Sequence, residues 1–559
     1  MVALYQIQDL SFAYAGEGQN VLQEISLTLQ RGEFALFCGP TGSGKTSLLR
    51  LLKKEVQPAG AISGSILYEG SPLEKLGRRR GAEEIAMVFQ DPDEQIVMET
   101  VWQELTFAME NMGYETGSIQ RRLAEVASYF GMESWLHKHV HELSGGQKQL
   151  LNLAAVVMLR PKVLLLDEPT AQLDPVAAKN FLQTVCRINQ EFSTAVILCE
   201  HRLEELFPLA TRVLMLDGGR VKYQGSPAEV IREVWRQKDE RFLEYLPSVS
   251  RLFLSLNGRL GKGPGKNIKE LPLTVREARS WLEESDLKLN MNPPGKRDNR
   301  EGEKPAQALL SCREIYFQYD RNQPMVLKNF SCGVQKGECY ALLGGNGSGK
   351  TTLLKTIAGI LKPQRGKIIF EGKNLFKMRL GERRARIGYL AQSPSLYFNR
   401  DTVEAQLKDR ARKLGLGASS QKLEETINFF NLESVMKKHP YDLSGGQQQK
   451  VALALVLMSE PELILLDEPT KGLDPLWKLQ LAGMLSALQK RGKTILMVSH
   501  DIEFVARFAQ KCALLFDGRA IAPDTPHNFF SQNYFYTTAI HRAVGDKFPR
   551  IVNIEDVSI

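Results

Sequence analysis

The chain has 559 residues, too many for a single hydrophobic core, so two or three domains are expected. Its 43% hydrophobic and 24% charged residues are ordinary globular usage, which excludes a fibrous or largely disordered protein. A formal net charge of +8 is modest at this length and does not by itself select a phosphate ligand, a membrane surface or a nucleic acid.

The seven cysteines are scattered and include no C-x-x-C pair, so the sequence does not indicate a metal or iron–sulfur site. A reducing cytoplasm is the compartment that this cysteine usage favours. The N-terminus lacks a signal-peptide pattern, and no apolar run reaches the roughly 20 residues that a membrane-spanning helix needs. If the protein works at a membrane, we therefore expect a partner to hold it there.

The first specific pattern along the chain is G-x-x-x-x-G-K-[ST], at residues 39–46 and again at residues 344–351. Each copy follows a predicted apolar strand, at residues 34–38 and 339–343, and opens a predicted helix. This strand–loop–helix context is the one that a phosphate-binding loop requires. Glycines let backbone N–H groups turn towards an anion, and the helix N-terminus adds its positive dipole end.

The loop residues predict the ligands. Lys45 and Lys350 are expected to reach the terminal phosphates of ATP, and Thr46 and Thr351 to ligate Mg²⁺. The other loop residues expected to surround the nucleotide are Gly39, Gly42, Gly44, Ser47, Gly344, Gly347, Gly349 and Thr352.

Further along each half, an apolar run ends in an aspartate followed by a glutamate. Such a run is typical of a strand buried on both faces of a parallel sheet. The carboxylates then lie at the C-terminal edge of the sheet, where open α/β sheets bind ligands. Asp167 and Asp467 are predicted to hold Mg²⁺ through water, and Glu168 and Glu468 to orient or deprotonate the attacking water.

The two halves keep a nearly constant spacing, as duplicated domains should. Lys350 lies 305 positions after Lys45, and Tyr319 lies 305 positions after Tyr14. The acid pairs are 300 positions apart, so only short insertions or deletions separate the motifs. The sequence therefore predicts two copies of one nucleotide-binding unit.

Between loop and acids, each half carries Leu-Ser-Gly-Gly-Gln, at residues 143–147 and 443–447. Together with the phosphate loops and the acids, this series resembles the nucleotide-binding domains of ATP-binding-cassette (ABC) proteins over nearly all of both halves. The resemblance implies that the signature residues, at a helix N-terminus, bind the γ-phosphate held by the opposite half. Those residues are Ser144, Gly145, Gly146, Ser444, Gly445 and Gly446.

The same resemblance assigns roles to four further pairs of residues. It implies adenine stacking on Tyr14 and Tyr319, magnesium sensing and ligation by Gln90 and Gln392, an interface loop at Asp174 and Asp474, and γ-phosphate contact by the switch histidines His201 and His500. Two composite sites follow. The first combines Lys45, Gln90, Asp167, Glu168 and His201 with Ser444 and Gly446; the second combines Lys350, Gln392, Asp467, Glu468 and His500 with Ser144 and Gly146.

Both sets are complete, so the resemblance implies two hydrolytic sites formed within one chain.

A narrower resemblance follows the first glutamine, where residues 91–95 read Asp-Pro-Asp-Glu-Gln. This segment is similar to the ATPases of energy-coupling-factor importers for vitamins, cobalt or nickel. In that group it forms a groove that accepts helices of an integral membrane scaffold protein, and a separate membrane protein binds the substrate. Residues 200–205 also resemble that group, whereas residues 392–398 depart from it, so the two grooves are expected to differ.

The alternative is a soluble tandem ABC ATPase that acts on the ribosome as a translation factor. In such translation factors, long and strongly basic helices typically join the two halves. In this chain, residues 257–304 have mixed charge and are broken by glycine and proline. Tandem sugar-importer ATPases usually have one degraded phosphate loop, and neither loop is degraded here. DNA-repair ATPases need a long insertion for which neither half has room. We therefore expect membrane partners on the cytoplasmic face, and no nucleic acid.

The predicted fold is α/β, with tandem P-loop ABC ATPase domains. Each has a mainly parallel sheet core, a small antiparallel β portion and a helical subdomain that carries the signature. The predicted boundaries are residues 1–246 for the first domain, 247–307 for a partly disordered linker with a short helix, 308–545 for the second domain and 546–559 for a tail. Thr274 and Glu277 form a capping box that predicts the linker helix through Leu282.

Overall fold

The computed structural model describes residues 3–16, 18–259, 271–284, 290–291, 308–416 and 421–558. The described chain separates into two compact units, at residues 1–274 and 275–559. Among these residues, no helix combines the length and apolarity that a bilayer crossing needs.

The first unit contains ten strands and ten α-helices among its described residues. Its strands are β1 (Tyr5–Tyr14), β2 (Leu22–Leu29), β3 (Phe34–Cys38), β4 (Gly60–Tyr68), β5 (Ser71–Pro72), β6 (Ile85–Val88), β7 (Val163–Asp167), β8 (Ala195–Cys199), β9 (Arg212–Asp217) and β10 (Arg220–Gly225). Its helices are α1 (Lys45–Leu51), α2 (Arg78–Glu84), α3 (Val101–Asn111), α4 (Thr116–Phe130), α5 (Gly145–Val157), α6 (Pro175–Phe192), α7 (Leu203–Leu206), α8 (Pro227–Arg236), α9 (Glu240–Leu243) and α10 (Ser248–Arg259).

Two sheets organise the first unit. Five parallel strands and the antiparallel β10 form the six-stranded order β10-β9-β3-β8-β7-β6. The antiparallel sheet has the order β2-β1-β4-β5. Every residue of β3, β7 and β8 is buried, which explains their continuous apolar sequences. The phosphate loop and the acids therefore follow central strands of one parallel sheet.

The second unit repeats this plan. Its strands are β11 (Asn290–Met291), β12 (Ala308–Phe317), β13 (Leu327–Gln335), β14 (Cys339–Leu343), β15 (Arg365–Phe370), β16 (Lys373–Asn374), β17 (Ile387–Leu390), β18 (Leu463–Asp467), β19 (Thr494–Ser499), β20 (Lys511–Phe516), β21 (Arg519–Asp524) and β22 (Val557–Ser558). Its helices are α11 (Val275–Glu284), α12 (Lys350–Ile357), α13 (Leu380–Arg386), α14 (Val403–Lys413), α15 (Gln421–Phe430), α16 (Gly445–Leu457), α17 (Pro475–Lys490), α18 (Ile502–Phe508), α19 (Pro526–Gln532) and α20 (Ala539–Val544).

The six-stranded order of the second unit is β17-β18-β19-β14-β20-β21, again parallel except for its last strand. The antiparallel sheet has the order β13-β12-β15-β16. The predicted α/β class, with a mainly parallel core, a small antiparallel sheet and helices in each half, is confirmed.

The ends of the units bear on the predicted boundaries. Helix α10 begins at Ser248, inside the predicted linker, and buries Leu252 and Leu256 within the first unit. Helix α11 begins directly after Thr274, the position that the capping box predicts, and packs on α20. In the predicted tail, Ile551 and Val552 are fully buried. Residues 260–266 and 292–300, which the sequence predicts to be linker-like, lie outside the described residues, and the boundaries themselves stay predictions.

Candidate functional site

Each phosphate loop wraps around its own lysine. In the first unit, Lys45 Nζ donates to the carbonyl oxygens of Gly39, at 2.9 Å, and of Pro40, at 3.0 Å. In the second unit, Lys350 Nζ donates to the corresponding carbonyls of Gly344 and Gly345, at 2.8 and 3.0 Å. Both lysines are buried, so each ammonium is held at the centre of its loop.

The backbone of the loop requires glycine. Gly44 has a φ of 95° as it begins α1, and a Cβ on it would lie 2.6 Å from a methyl carbon of Leu22. The hydroxyl oxygens of Ser43 and Ser348 occupy matching positions in the two loops. Both are buried, and neither has a hydrogen-bond partner among the residues that the structure describes. A nucleotide phosphate is the kind of partner that such an orphaned hydroxyl needs, so both loops fit this ligand.

A threonine and an aspartate meet beside each loop. Thr46 Oγ1 donates to Asp167 Oδ1 at 2.9 Å, and Thr351 Oγ1 donates to Asp467 Oδ1 at 3.1 Å. A hydroxyl beside a carboxylate is an all-oxygen set of the kind that Mg²⁺ prefers. Burial, together with the adjacent Glu168 carboxylate, raises the pKa of Asp167 to about 6. These four residues fit the predicted metal position in both units.

The second unit adds a hydroxyl that the first lacks. Tyr389, on β17, donates to Asp467 Oδ2 at 3.1 Å. The matching position on β6 is Met87, which cannot donate a hydrogen bond. Burial raises the pKa of Asp467, and the hydrogen bonds from Thr351 and Tyr389 oppose that rise. Sequence reasoning missed Tyr389, although a strict alignment of the two repeats would have shown the Met-to-Tyr difference.

The glutamate of the first unit lies between two predicted partners. Gln90 Nε2 donates to Glu168 Oε2 at 3.2 Å, and His201 Nε2 lies 3.0 Å from Glu168 Oε1. The neighbouring Glu200 is buried and accepts hydrogen bonds from the Thr170 backbone and hydroxyl and from the His201 backbone N–H. Glu200 therefore fixes the loop that presents the histidine, a role that its sequence context did not reveal.

The glutamate of the second unit has a different set of partners. Its Oε1 lies 3.1 Å from Lys350 Nζ, and its Oε2 lies 2.9 Å from His500 Nδ1 and accepts the His500 backbone N–H at 3.1 Å. Burial opposes ionisation of Glu468, but His500 and Lys350 outweigh it and lower the pKa. Gln392 is exposed and makes no hydrogen bond with any other described residue, and its predicted role in the metal site stays a prediction.

The predicted adenine-stacking tyrosines hold equivalent positions. Tyr14 shares a 2.7 Å hydrogen bond with the Ser47 hydroxyl, and Tyr319 shares one of 2.9 Å with the Thr352 hydroxyl. Tyr319 is 54% exposed, so its ring remains accessible to a ligand beside the loop. Stacking of adenine on either ring stays a prediction.

The signature serines cap helices. Ser144 and Ser444 are the N-caps of α5 and α16, and each forms a capping box with the glutamine three residues later. Gly446 packs so closely on Trp477 that a Cβ would lie 1.7 Å from its ring nitrogen, so this position needs glycine. The signature residues thus have the helix-start geometry that was predicted, each within its own unit.

Asp174 and Asp474 also act as N-caps. They accept the backbone N–H groups of Ala177, at 2.8 Å, and of Trp477, at 2.9 Å, at the starts of α6 and α17. This capping orients the preceding loop. Their predicted contact with the opposite half stays a prediction.

The segment after each glutamine is held by a different side chain in each unit. Gln95 accepts the Phe89 N–H at 3.1 Å and donates to the Met87 carbonyl at 3.2 Å. At the matching position, the Tyr397 hydroxyl accepts the Ala391 N–H at 2.9 Å and donates to the Tyr389 carbonyl at 2.7 Å. Gln95, which the sequence grouped with a docking motif, therefore has an internal structural role.

Comparison with known proteins agrees with this geometry. Residues 22–171 and 327–471 match the ABC transporter family. An ABC transporter ATP-binding protein of Bacillus thuringiensis is 46% identical over 558 residues, covering 100% of this chain and 98% of the relative. One from Methanosarcina acetivorans is 30% identical over 93% of this chain and 84% of the relative. A solved structure of CbiO1 from Clostridium perfringens, part of the ABC transporter complex CbiONQ, is 30% identical to this chain. The match covers 44% of this chain and 99% of the CbiO1 chain, with a TM-score of 0.38.

Proposed function

The chain belongs to the ABC transporter family of ATP-binding proteins, and from this premise we propose that it is the ATP-hydrolysing subunit of a membrane importer. Its family implies ATP hydrolysis. We propose further that the importer is of the energy-coupling-factor type and takes up a vitamin or a transition-metal ion. The observation that carries the proposal is that, in both units, the loop threonine meets the aspartate and the following glutamate lies beside the histidine.

The proposed chemistry is in-line transfer of the γ-phosphoryl group of ATP to water. Lys45 and Lys350 neutralise phosphate charge, and Thr46, Asp167, Thr351 and Asp467 hold Mg²⁺. The metal, when bound, supplies positive charge against the phosphate oxygens. Glu168 and Glu468 accept the proton of the attacking water, and His201 and His500 orient these carboxylates. Most of the rate enhancement comes from positioning and electrostatic stabilisation.

We propose that the two sites are composite, as the family resemblance implies. Ser444 and Gly446 then complete the site of the first unit, and Ser144 and Gly146 complete the site of the second. The helix starts that Ser144 and Ser444 cap, the first exposed and the second half-buried, suit an anionic ligand. A negative charge introduced by Ser444→Glu would place a carboxylate against the γ-phosphate and is expected to impair hydrolysis by the opposite unit.

We place the docking surface for a membrane scaffold protein on the first unit, beside Gln90. Asp93 and Glu94 are exposed there, and Asp93 pairs with Lys148 at 2.6 Å. Later in the chain, Val97 is 63% exposed, and Trp102 and Phe107 on α3 are partly exposed. Apolar side chains beside acids suit a helix that carries both apolar and basic residues. With that partner and a substrate-binding membrane protein, the chain would work at the cytoplasmic face of the membrane.

The test is purification of the tagged chain from its native cells in mild detergent, followed by mass spectrometry. We expect small polytopic membrane proteins in the wild-type sample and fewer with Asp93→Asn/Glu94→Gln. Glu133→Gln, an exposed acid outside this surface, serves as the matched control. Recovery of ribosomes without membrane proteins would contradict the importer proposal and favour a translation factor.

A further inference from the structure

The second unit has a cavity of about 300 Å³ at the position that matches the docking surface of the first. It lies between β17, the segment that follows Gln392, and helices α14 and α16. Its wall combines aromatic and aliphatic side chains with three cations, Arg384, Arg410 and Lys413, and one carboxylate, Asp409.

Arg410 is a half-buried cation of this wall that has no counter-ion among the described residues. Its Nε donates to the Leu455 carbonyl at 3.1 Å, and no carboxylate of the described residues lies within ion-pair distance of it. The nearest acid in sequence, Asp409, is already paired with Arg400 and with Lys413, each at 2.8 Å. A half-buried guanidinium without a carboxylate is costly, and an incoming anion would relieve that cost.

The cavity wall is held in place before any partner arrives. Tyr397 is fixed by its two hydrogen bonds to the backbone of the preceding strand and turn. Gln406 accepts the Asn399 N–H at 2.9 Å and donates to the Tyr397 carbonyl at 2.7 Å. Leu396, at the rim, is 75% exposed. The cavity therefore presents the Arg410 guanidinium, which is held by the Leu455 carbonyl, in a wall that also carries the exposed Leu396.

The first unit has no such cation at the matching position. Helices α3 and α14 both begin after a capping threonine, and their equivalent residues are 302 positions apart. Arg410 corresponds to Ala108, and Lys413 corresponds to Asn111. The wall in the second unit thus carries more cations than acids, and its one acid, Asp409, is already paired, whereas Ala108 and Asn111 of the first unit are uncharged.

We propose that the cavity beside Arg410 receives an aspartate or glutamate side chain from a helix of the membrane partner, with apolar residues of that helix packing on Leu396. This inference rests on the proposed importer function and names the chemistry of one partner contact. Charge complementarity selects the occupant, since a basic helix suited to Asp93 and Glu94 would be repelled here. The partner would therefore present two different helices, one to each unit.

The test compares Arg410→Glu with Arg412→Glu in the full chain purified from native membranes. Arg412 is exposed on the same helix, outside the cavity wall, so it is a matched charge reversal. We expect Arg410→Glu to lower recovery of the membrane partner by about 30-fold or more, the loss typical of breaking a buried charge pair, and Arg412→Glu to change it by less than about twofold. Equal recovery with both variants would overturn the inference.

Two further measurements separate the possible failures. Arg410→Gln removes the charge without adding an acid. If this variant loses the partner but keeps a thermal unfolding midpoint close to that of the wild-type chain, the loss is not caused by misfolding. A photo-crosslinking residue at position 396 should label a partner peptide with Asp or Glu within about one helical turn, and changing that acid to Arg should restore recovery with Arg410→Glu. A labelled peptide that lacks an acid contradicts the inference alone, whereas no membrane partner with the wild-type chain contradicts the importer proposal as well.

Discussion

The two candidate catalytic glutamates follow the same strand in the same motif, yet they have different partners. Glu168 accepts a hydrogen bond from Gln90 and lies beside His201 Nε2. Glu468 lies beside the loop lysine Lys350 and His500 Nδ1. Matching motifs thus place the same functional groups at the same sheet edge, but they do not decide which groups pair.

This difference has a physical consequence for ligand binding. Both loop lysines donate to two loop carbonyls, and Lys350 Nζ also lies 3.1 Å from Glu468 Oε1. A buried ion pair that competes with the ligand lowers affinity, because its loss must be repaid by the new contacts. Removing the charge of Glu468 is therefore expected to strengthen ATP binding by the second unit.

The largest expected effect comes from removing the glutamates. Glu168→Gln and Glu468→Gln should each slow hydrolysis in their own unit by about 10²–10⁴-fold, because the attacking water loses its general base. Single-turnover hydrolysis of labelled ATP measures this loss. If one variant hydrolyses ATP at the wild-type rate, that unit does not use its glutamate as a base.

A smaller effect concerns the ATP affinity of the second unit. Glu468→Gln should raise ATP affinity in the second unit by about tenfold, because it frees Lys350 from a charged competitor. A fluorescent ATP analogue, titrated into a chain whose first site is closed by Lys45→Ala, reports this affinity. An ATP affinity that Glu468→Gln leaves unchanged would contradict this prediction.

The pH dependence of metal binding should distinguish the first unit. The pKa of Asp167 is raised to about 6, so the carboxylate that would hold Mg²⁺ is protonated as the pH falls below that value. Magnesium-dependent ATP binding should therefore weaken by up to about tenfold per pH unit below pH 6. The same raised pKa means that Asp167 contributes less to folding stability as the pH rises from about 4 to about 6. Titration of Mn²⁺ by electron paramagnetic resonance at pH 5 to 7.5 measures how metal binding depends on pH. A flat profile would contradict the prediction.

The smallest expected effect concerns Tyr389. Tyr389→Phe removes only the hydroxyl that donates to Asp467 Oδ2, so Mg²⁺ affinity in the second unit should fall by about fivefold, the value of one hydrogen bond. Met87→Leu, at the matching position of the first unit, should leave Mg²⁺ affinity there within about twofold. Calorimetric titration with magnesium and ATP reports both, and a larger effect from Met87→Leu would show that packing matters more than the hydroxyl.

Much of the fold could be predicted from local signals. The apolar runs before the acids become buried β7 and β18, because a continuous apolar run fits a strand covered on both faces. The capping threonine and glutamate near residue 274 correctly place the start of α11, because a capping box is a short-range interaction. Within the candidate sites, the threonine–aspartate pairs meet as the phosphate-loop motif indicates.

What could not be predicted depends on contacts between distant segments. Gln95 and Tyr397 make the same pair of backbone hydrogen bonds with unrelated side chains, which no motif comparison reveals. The pairing of Lys350 with Glu468 depends on side-chain positions in two loops far apart in sequence. Likewise, the missing counter-ion of Arg410 is visible only once Asp409 is seen to pair elsewhere.

The central claim is that both units hydrolyse ATP although their candidate catalytic glutamates have different partners. The most direct measurement traps a photoreactive ADP with vanadate during turnover, crosslinks it and cleaves the chain between residues 285 and 307, so that the label on each unit can be counted. The account predicts label on both fragments. Label on one fragment alone, at saturating ATP, would contradict it.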